Sequence, residues 1–350
     1  MIYRHFTRKR TPRSLRIIYS LLLLSIPWLV SCSGSDKPAA KRIAENSSIE
    51  VLEQEANTIL DPASEIEVLA EGFTWTEGPL WLEEERCLLF SDIPNNSIFK
   101  LDSTGKVSLY LKPSGYTSTE HREKELGSNG LTRDVDGNLV LMQQGDRRVA
   151  RMTAPLRDPR PEYETLVDKY GEKRLNCPND GMFDRDGNLY FTDPPYGVPK
   201  GMKELTFHGV YCLLKNGDLV LLDSLSRPNG ITLSPEGSHL YVAVSDEEHA
   251  VWYVYDLDAP GQVKNKRIFY DITAEAKKGG EEAGLPDGMK MNRNNYLFAT
   301  GPGGVWIFNP EGHPIARIHT GQTTSNCALS SDEKVLYMTA NTFILKVNLK

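Results

Sequence analysis

Cysteine is scarce in this chain of 350 residues, with five in all. That is too few for a scaffold built on disulfides, and Cys87, Cys177, Cys212 and Cys327 are expected as buried, unbridged thiols. Positive charge is short as well. Beyond residue 31 there are 34 basic against 47 acidic side chains, a net of −13. Nucleic-acid binding needs a basic footprint, so that class of function is excluded. No Gly-x-Ser-x-Gly elbow occurs, which argues against a serine hydrolase. What is present suffices for a large core: 39% of the residues are hydrophobic. The length could hold two domains, but large all-β folds run as one.

The N-terminus differs from the rest. Residues 1–31 hold Arg4, Arg8, Lys9, Arg10, Arg13 and Arg16 and no acid. The apolar run 17–30 that follows is broken by Ser20, Ser25 and Pro27. It is short for a membrane span, which takes about 20 residues, and suits a signal sequence. The run ends in Leu29-Val-Ser-Cys32, which resembles the bacterial lipoprotein box. That resemblance implies removal of 1–31, lipidation of Cys32 and a membrane partner through that anchor. Ser33 stands where an aspartate would retain the protein at the inner membrane, so the expected place is the outer membrane, facing the periplasm or the cell surface. Residues 32–62 are polar and read as a flexible tether.

From residue 63 to 350 the chain repeats. Stretches 76–81, 128–132, 178–182, 228–232, 285–291 and 325–329 each set an acid or Asn beside a small residue, just before an apolar run. The steps from Glu77 to Asn129, Asn179, Asn229, Asp287 and Asn326 are 52, 50, 50, 58 and 39 residues. A turn follows each stretch, as at Asp136-Gly-Asn138 and Asp186-Gly-Asn188, and then a second apolar strand. A repeat of this size predicts an all-β, six-bladed β-propeller with four-stranded antiparallel blades. The last blade lacks a strand, and 65–71 is expected to supply it and close the ring. The polar stretch 272–284 predicts a surface loop with a helical turn, and 116–126 and 194–207 are further insertions.

In a propeller the six strand starts converge on the axis. Glu77, Asn129, Asn179, Asn229, Asp287 and Asn326 would then form a ring offering only oxygen ligands, with two carboxylates. Hard oxygen donors suit Ca²⁺, Mg²⁺ or Mn²⁺. None of the seven histidines stands at a strand start, which argues against a His-ligated zinc site. His121 and His208 fall in inserted loops. Any one Asn-Gly or Asp-Gly pair alone would read as a turn. Six in phase point to a site.

These residues also carry a family resemblance. Glu77-Gly-Pro-Leu-Trp81, Ser91-Asp-Ile-Pro94, Ser128-Asn-Gly-Leu131, Gly145-Asp-Arg-Arg-Val149, Pro178-Asn-Asp180, Phe191-Thr-Asp-Pro-Pro-Tyr-Gly197, Pro228-Asn-Gly230, Leu285-Pro-Asp-Gly-Met289 and Gly301-Pro-Gly-Gly-Val-Trp306 resemble the gluconolactonase branch of the family that includes regucalcin and luciferin-regenerating enzyme. The resemblance spans 65–350. It implies hydrolysis of a sugar lactone with one divalent ion, Ca²⁺ first among Ca²⁺, Mg²⁺, Mn²⁺ and Zn²⁺. It places metal ligands at Glu77, Asn229 and Asp287, with Asn179 beside the ion and in contact with metal or substrate. Asn129 and Asn326 join Asn179 as substrate-facing residues. Regucalcin-like members carry an Arg two residues before that Asn, where this chain has Cys177; Arg174 is near but out of register. Gln144 stands where close gluconolactonases often have His.

The expected chemistry is metal-assisted ester hydrolysis, with Asp287 as both ligand and general base for the attacking water. Two alternatives share the pocket: a propeller lipoprotein that binds a sugar or other ligand without chemistry, and a different metal-dependent reaction. The intact set of Glu77, Asn229 and Asp287 favours the enzyme, since a scaffold has no need of it.

Overall fold

The computed structural model describes residues 46–120, 127–279 and 283–350. The leader, Cys32 and His121 lie outside the described residues. No helix among the described residues is long and apolar enough to cross a membrane.

Among the described residues six antiparallel sheets follow one another along the chain as blades, and a two-stranded hairpin, Lys169–Tyr170 with Lys173–Arg174, stands apart from them. Blade 1 starts at Thr76–Leu82, blade 2 at Ser128–Arg133 and blade 3 at Gly181–Phe183. Blades 4, 5 and 6 start at Pro228–Leu233, Met289–Met291 and Thr324–Leu329. The second strands are those expected, among them Leu139–Gln143, Leu189–Asp193 and Val335–Ala340. The turn between the first two strands needs one residue with positive φ. Gly137, Gly187 and Gly237 supply it in blades 2, 3 and 4, and Arg86, Asn295 and Glu333 in blades 1, 5 and 6. The six-bladed, almost wholly β fold agrees with the sequence reading.

Packing explains why the ring holds. Each pair of neighbouring blades shares its own apolar cluster. Leu89 and Leu141 meet between blades 1 and 2, Met142 and Phe191 between 2 and 3, and Tyr190 and Val242 between 3 and 4. Trp252 and Phe308 join 4 to 5, Phe298 and Met338 join 5 to 6, and Ile344 and Phe90 join 6 to 1. Alternation along a strand sends its two faces into different clusters, so each sheet is buried on both sides.

Closure follows the expectation. Glu67–Glu71 pairs antiparallel with Phe343–Asn348, Glu67 opposite Lys346, and completes blade 6. The helical turn expected in 272–284 is the helix Thr273–Gly279.

The tether needs correction. Ser48–Val51 pairs with the outer strand of blade 5, Ser48 opposite His319, and makes that sheet five-stranded. A 3₁₀ turn, Gln54–Thr58, follows. Ala56 and Leu60 are fully buried in the cluster between blades 5 and 6. Glu55 accepts hydrogen bonds from Tyr296 and Asn309. The polar composition of 32–62 hid these few apolar positions, and a strand lying on a sheet edge needs no apolar run of its own.

Candidate active site

Each ring residue stands where a blade's innermost strand begins. In blades 1, 2, 4 and 6 the strand register shifts there, for instance between Glu77 and Leu80 and between Pro228 and Ile231. A bulge at this point re-aims the side chain. In blades 3 and 5, Asn179 and Asp287 precede the strands that start at Gly181 and Met289.

The small residue beside each polar one has a steric cause. A Cβ on Gly78 would lie 2.2 Å from the Asn129 carbonyl oxygen, and one on Gly230 would lie 2.1 Å from that of Asp287. One on Gly288 would lie 1.9 Å from the Asn326 side chain. Thus the pairs are not turns. Gly78, Gly130, Gly230 and Gly288 let the next blade's ring residue close in. Hydroxyls on neighbouring strands bind the ring's backbone: Ser91 donates to the Asn129 carbonyl at 2.8 Å, Thr192 to that of Asn229 at 2.6 Å and Ser325 to that of Thr76 at 2.7 Å.

The side chains divide into two groups. Asn129 Oδ1, Asn229 Oδ1 and Asp287 Oδ1 are buried acceptors with no hydrogen-bond partner. Asn229 is oriented by its amide nitrogen, which donates to Ser245 Oγ at 2.9 Å, while Ser245 donates to the Pro286 carbonyl. Asn326 is engaged at both ends. Its Nδ2 donates to Glu77 Oε2 at 3.3 Å and to Asp180 Oδ2 at 3.4 Å, and its Oδ1 accepts the Cys327 N–H. Its amide thus holds two carboxylates. Asn179 is buried in the same ring, its backbone N–H donating to the Thr192 carbonyl.

Asp180 is the residue that sequence reasoning passed over. It is 2% exposed, and Gly130 packs against its carboxylate. The signal was there: Pro178-Asn-Asp-Gly181 alone among the six stretches inserts a carboxylate between its ring Asn and its glycine.

Three carboxyl groups at one place repel one another. Burial first, then the charge of Asp180, pushes Glu77 up to about 8, against the Gly78 N–H, Asn326 and Lys290. Burial first, then Glu77 and Asp180, holds Asp287 well above the usual carboxylate range. Asp180 is raised mainly by burial, opposed by Lys290. A divalent cation would offset this excess of negative charge. Among the described residues no three carboxylate, imidazole or thiolate groups stand at metal-ligand spacing. The converging donors include amide oxygens, and unpartnered oxygen acceptors beside carboxylates fit a hard cation.

Tyr196, from the 194–207 insertion, covers the ring. The residue is 40% exposed, while its hydroxyl end lies among Ser245, Asn229 and Asp287; that enclosure pushes it up to about 12. Cys177 is fully buried, its thiol directed at the Gln144 carbonyl, and all four described cysteines are outside disulfides. His208 is drawn down to about 4 by burial, then by Lys203 and Arg227, so its imidazole is uncharged at neutral pH.

Residues 75–342 match the SMP-30/Gluconolactonase/LRE-like region. The chain belongs to this family. Within the SMP-30/gluconolactonase/LRE-like family it is 37% identical over 303 residues to the gluconolactonase of Zymomonas mobilis subsp. mobilis, covering 84% of each chain. The structure of a gluconolactonase of Xanthomonas campestris superposes with a TM-score of 0.75 at 27% identity, covering 88% of this chain and 96% of that one. A calcium-binding regucalcin of Agrobacterium tumefaciens superposes with a TM-score of 0.62 at 18% identity, covering 81% and 94%. That last likeness concerns the fold alone. The family resemblance and the expectation of a gluconolactonase-like enzyme are borne out.

Proposed function

We propose that the chain hydrolyses a sugar lactone at the axial ring, with a divalent ion, Ca²⁺ first, held by Glu77, Asn229 and Asp287 and flanked by Asn179. The observation that carries this reading is the set of unpartnered oxygens on Asn129, Asn229 and Asp287 beside two further buried carboxyls. When bound, such an ion polarises an ester carbonyl and stabilises the oxyanion that forms.

The residues do the rest. Asp287 presents a bare Oδ1. Burial, then the charges of Glu77 and Asp180, hold its carboxyl well above the usual range; a bound cation would favour the ionised form, which can take a proton from the attacking water. The water oxygen bonds to the carbonyl carbon, the ring ester C–O bond breaks, and the proton ends on the released hydroxyl. Tyr196 keeps its own proton at working pH and offers a donor at the rim. Asn129 and Asn179 face the substrate. Asn326 and Ser245 position the groups that do the chemistry.

The leader and the Leu29-Val-Ser-Cys32 sequence support, in addition, an enzyme anchored by lipid at Cys32 in a bacterial cell envelope, at the outer membrane.

Hydrolysis of sugar lactones by purified protein, with Ca²⁺, Mg²⁺, Mn²⁺ or Zn²⁺ or with chelator, tests the reading. Asp287→Asn should keep an oxygen ligand and lose the base, lowering turnover by roughly 10²–10⁴-fold. Asn229→Ala should instead weaken cation affinity and recover with excess cation. Near-normal turnover by Asp287→Asn would remove Asp287 as the base.

A further inference from the structure

A cleft of about 1120 Å³ lies between blades 2 and 3, at the end of the ring. Its walls are the loops around Tyr116, Asp146 and Lys200, together with Arg174 and Glu204, and Tyr196 stands where it meets the ring. Its placement follows from the strands. Gln143 pairs with Ser128, beside Asn129, so the Gly145–Arg148 loop emerges at the ring's end of blade 2. The 194–207 loop likewise follows Asp193, two residues after the partner of Gly181.

The volume exceeds the range of about 300–1,000 Å³ typical of pockets for drug-sized ligands. A single-ring lactone is much smaller than such a ligand. The lining carries as many acidic as basic side chains, which disfavours a phosphate or other strongly charged group. Two guanidinium N–H groups have no hydrogen-bond partner among the described residues: Nη2 of Arg147, which is 3% exposed, and Nε of Arg174. Arg147 is otherwise held by the Leu175, Asn176 and Met202 carbonyls. Tyr196 and Met202, 40% and 55% exposed, add apolar surface. Charges of both signs, spare donors and an exposed aromatic face suit a neutral ring that is polar at its edge and apolar on its face.

Resting on the lactonase reading, we propose that the substrate is larger than a monosaccharide: an aldonolactone bearing a further neutral glycosyl residue. The lactone lies at the axial ring, and the extra sugar lies over Tyr196 in the cleft. Arg174, which this chain has in place of an arginine at Cys177, then serves the second sugar rather than the first.

The test compares gluconolactone with cellobionolactone as substrates of the Ca²⁺-loaded protein, and gluconate with cellobionate binding by calorimetry. The disaccharide lactone should have the higher kcat/KM by about tenfold or more, the gain of one charge-assisted hydrogen bond, carried mostly in KM. Arg174→Ala and Lys200→Ala should erase that advantage and leave gluconolactone hydrolysis unchanged. Equal or lower kcat/KM for the disaccharide lactone, with gluconolactone hydrolysed well, overturns the inference and leaves the lactonase reading standing. Tighter binding of cellobionate than gluconate without turnover of either lactone overturns the lactonase reading, and with it the aldonolactone substrate, and leaves only the sugar site in the cleft standing.

Discussion

Replacing Glu77 by Gln exchanges a buried carboxyl for a neutral group of nearly the same shape. In the cation-free protein Glu77 sits at about 8 instead of its usual 4.5. That gap corresponds to a cost on the order of 5 kcal/mol for ionising Glu77 without a cation, at about 1.4 kcal/mol per pH unit. The sign follows from proton binding. The folded state holds the proton where the unfolded state has released it, so the stabilisation is full below 4.5 and is lost as pH rises to about 8. Asp287 and Asp180, also raised, slope the same way. A cation reverses this by stabilising the ionised form. At a concentration 100 times its dissociation constant it adds about 2.7 kcal/mol, worth roughly 5 °C in Tm for a domain of this size. The assay is thermal unfolding from about pH 5 to about pH 9, with CaCl₂ or with EDTA. Wild-type protein in EDTA should melt lower as pH rises, and Ca²⁺ should restore it most at the alkaline end. Glu77→Gln should show a shallower pH slope and little response to Ca²⁺. If the variant gains as much from Ca²⁺ as the wild type does, Glu77 is not part of the cation site. If the wild type in EDTA grows more stable from pH 5 to 8, the account of the buried carboxyls is wrong.

Gly230→Ala would place a methyl 2.1 Å from the Asp287 carbonyl oxygen. Such overpacking costs about 1–3 kcal/mol, and lactone turnover should fall further than Tm suggests, because the displaced residue is Asp287. Leu60→Ala, at a fully buried position, should cost about 2–5 kcal/mol in denaturant unfolding; a change within a few tenths of a kcal/mol would return residue 60 to the tether. Mass spectrometry of the native N-terminus should find Cys32 lipidated and residues 1–31 absent. An intact leader would refute the envelope assignment.

The fold was legible because the repeat writes the same geometry six times. Polar residue, small residue, apolar strand, turn and second strand recur in phase, and the structure shows each as one blade. The ring was legible for a related reason: only radial closure brings residues about fifty apart to one axis. What escaped has physical causes too. Asp180 sits one residue past the repeating position, and a bulge or strand start can aim either of two adjacent side chains inward. Asn326 is in phase with the others, but the sequence does not reveal that Cys327 and two carboxylates occupy both ends of its amide. The Asn-Gly pairs read locally as turns; their meaning lies in the next blade, which no local window contains. Residues 48–60 read as tether because edge pairing uses backbone groups, which every sequence has. The cleft depends on loop conformations that carry no periodic signal.

Blade 6 is built from both ends of the propeller's chain. Glu67 pairs with Lys346, Leu60 bridges to Leu349 and the Lys350 N–H reaches the Ile59 carbonyl. This bears on folding order. Contacts so distant in sequence form slowly, since the chain entropy lost on closing them comes before any gain. While the chain is still emerging, the strand Glu67–Glu71 exists but its partner, Phe343–Asn348, does not. Any chain halted before residue 343 therefore carries an unpaired strand edge at each end of an open arc. Such edges recruit other chains. Premature termination late in this sequence should thus yield aggregates rather than a smaller propeller, and the final strand acts as the latch that converts an associating chain into a discrete ring.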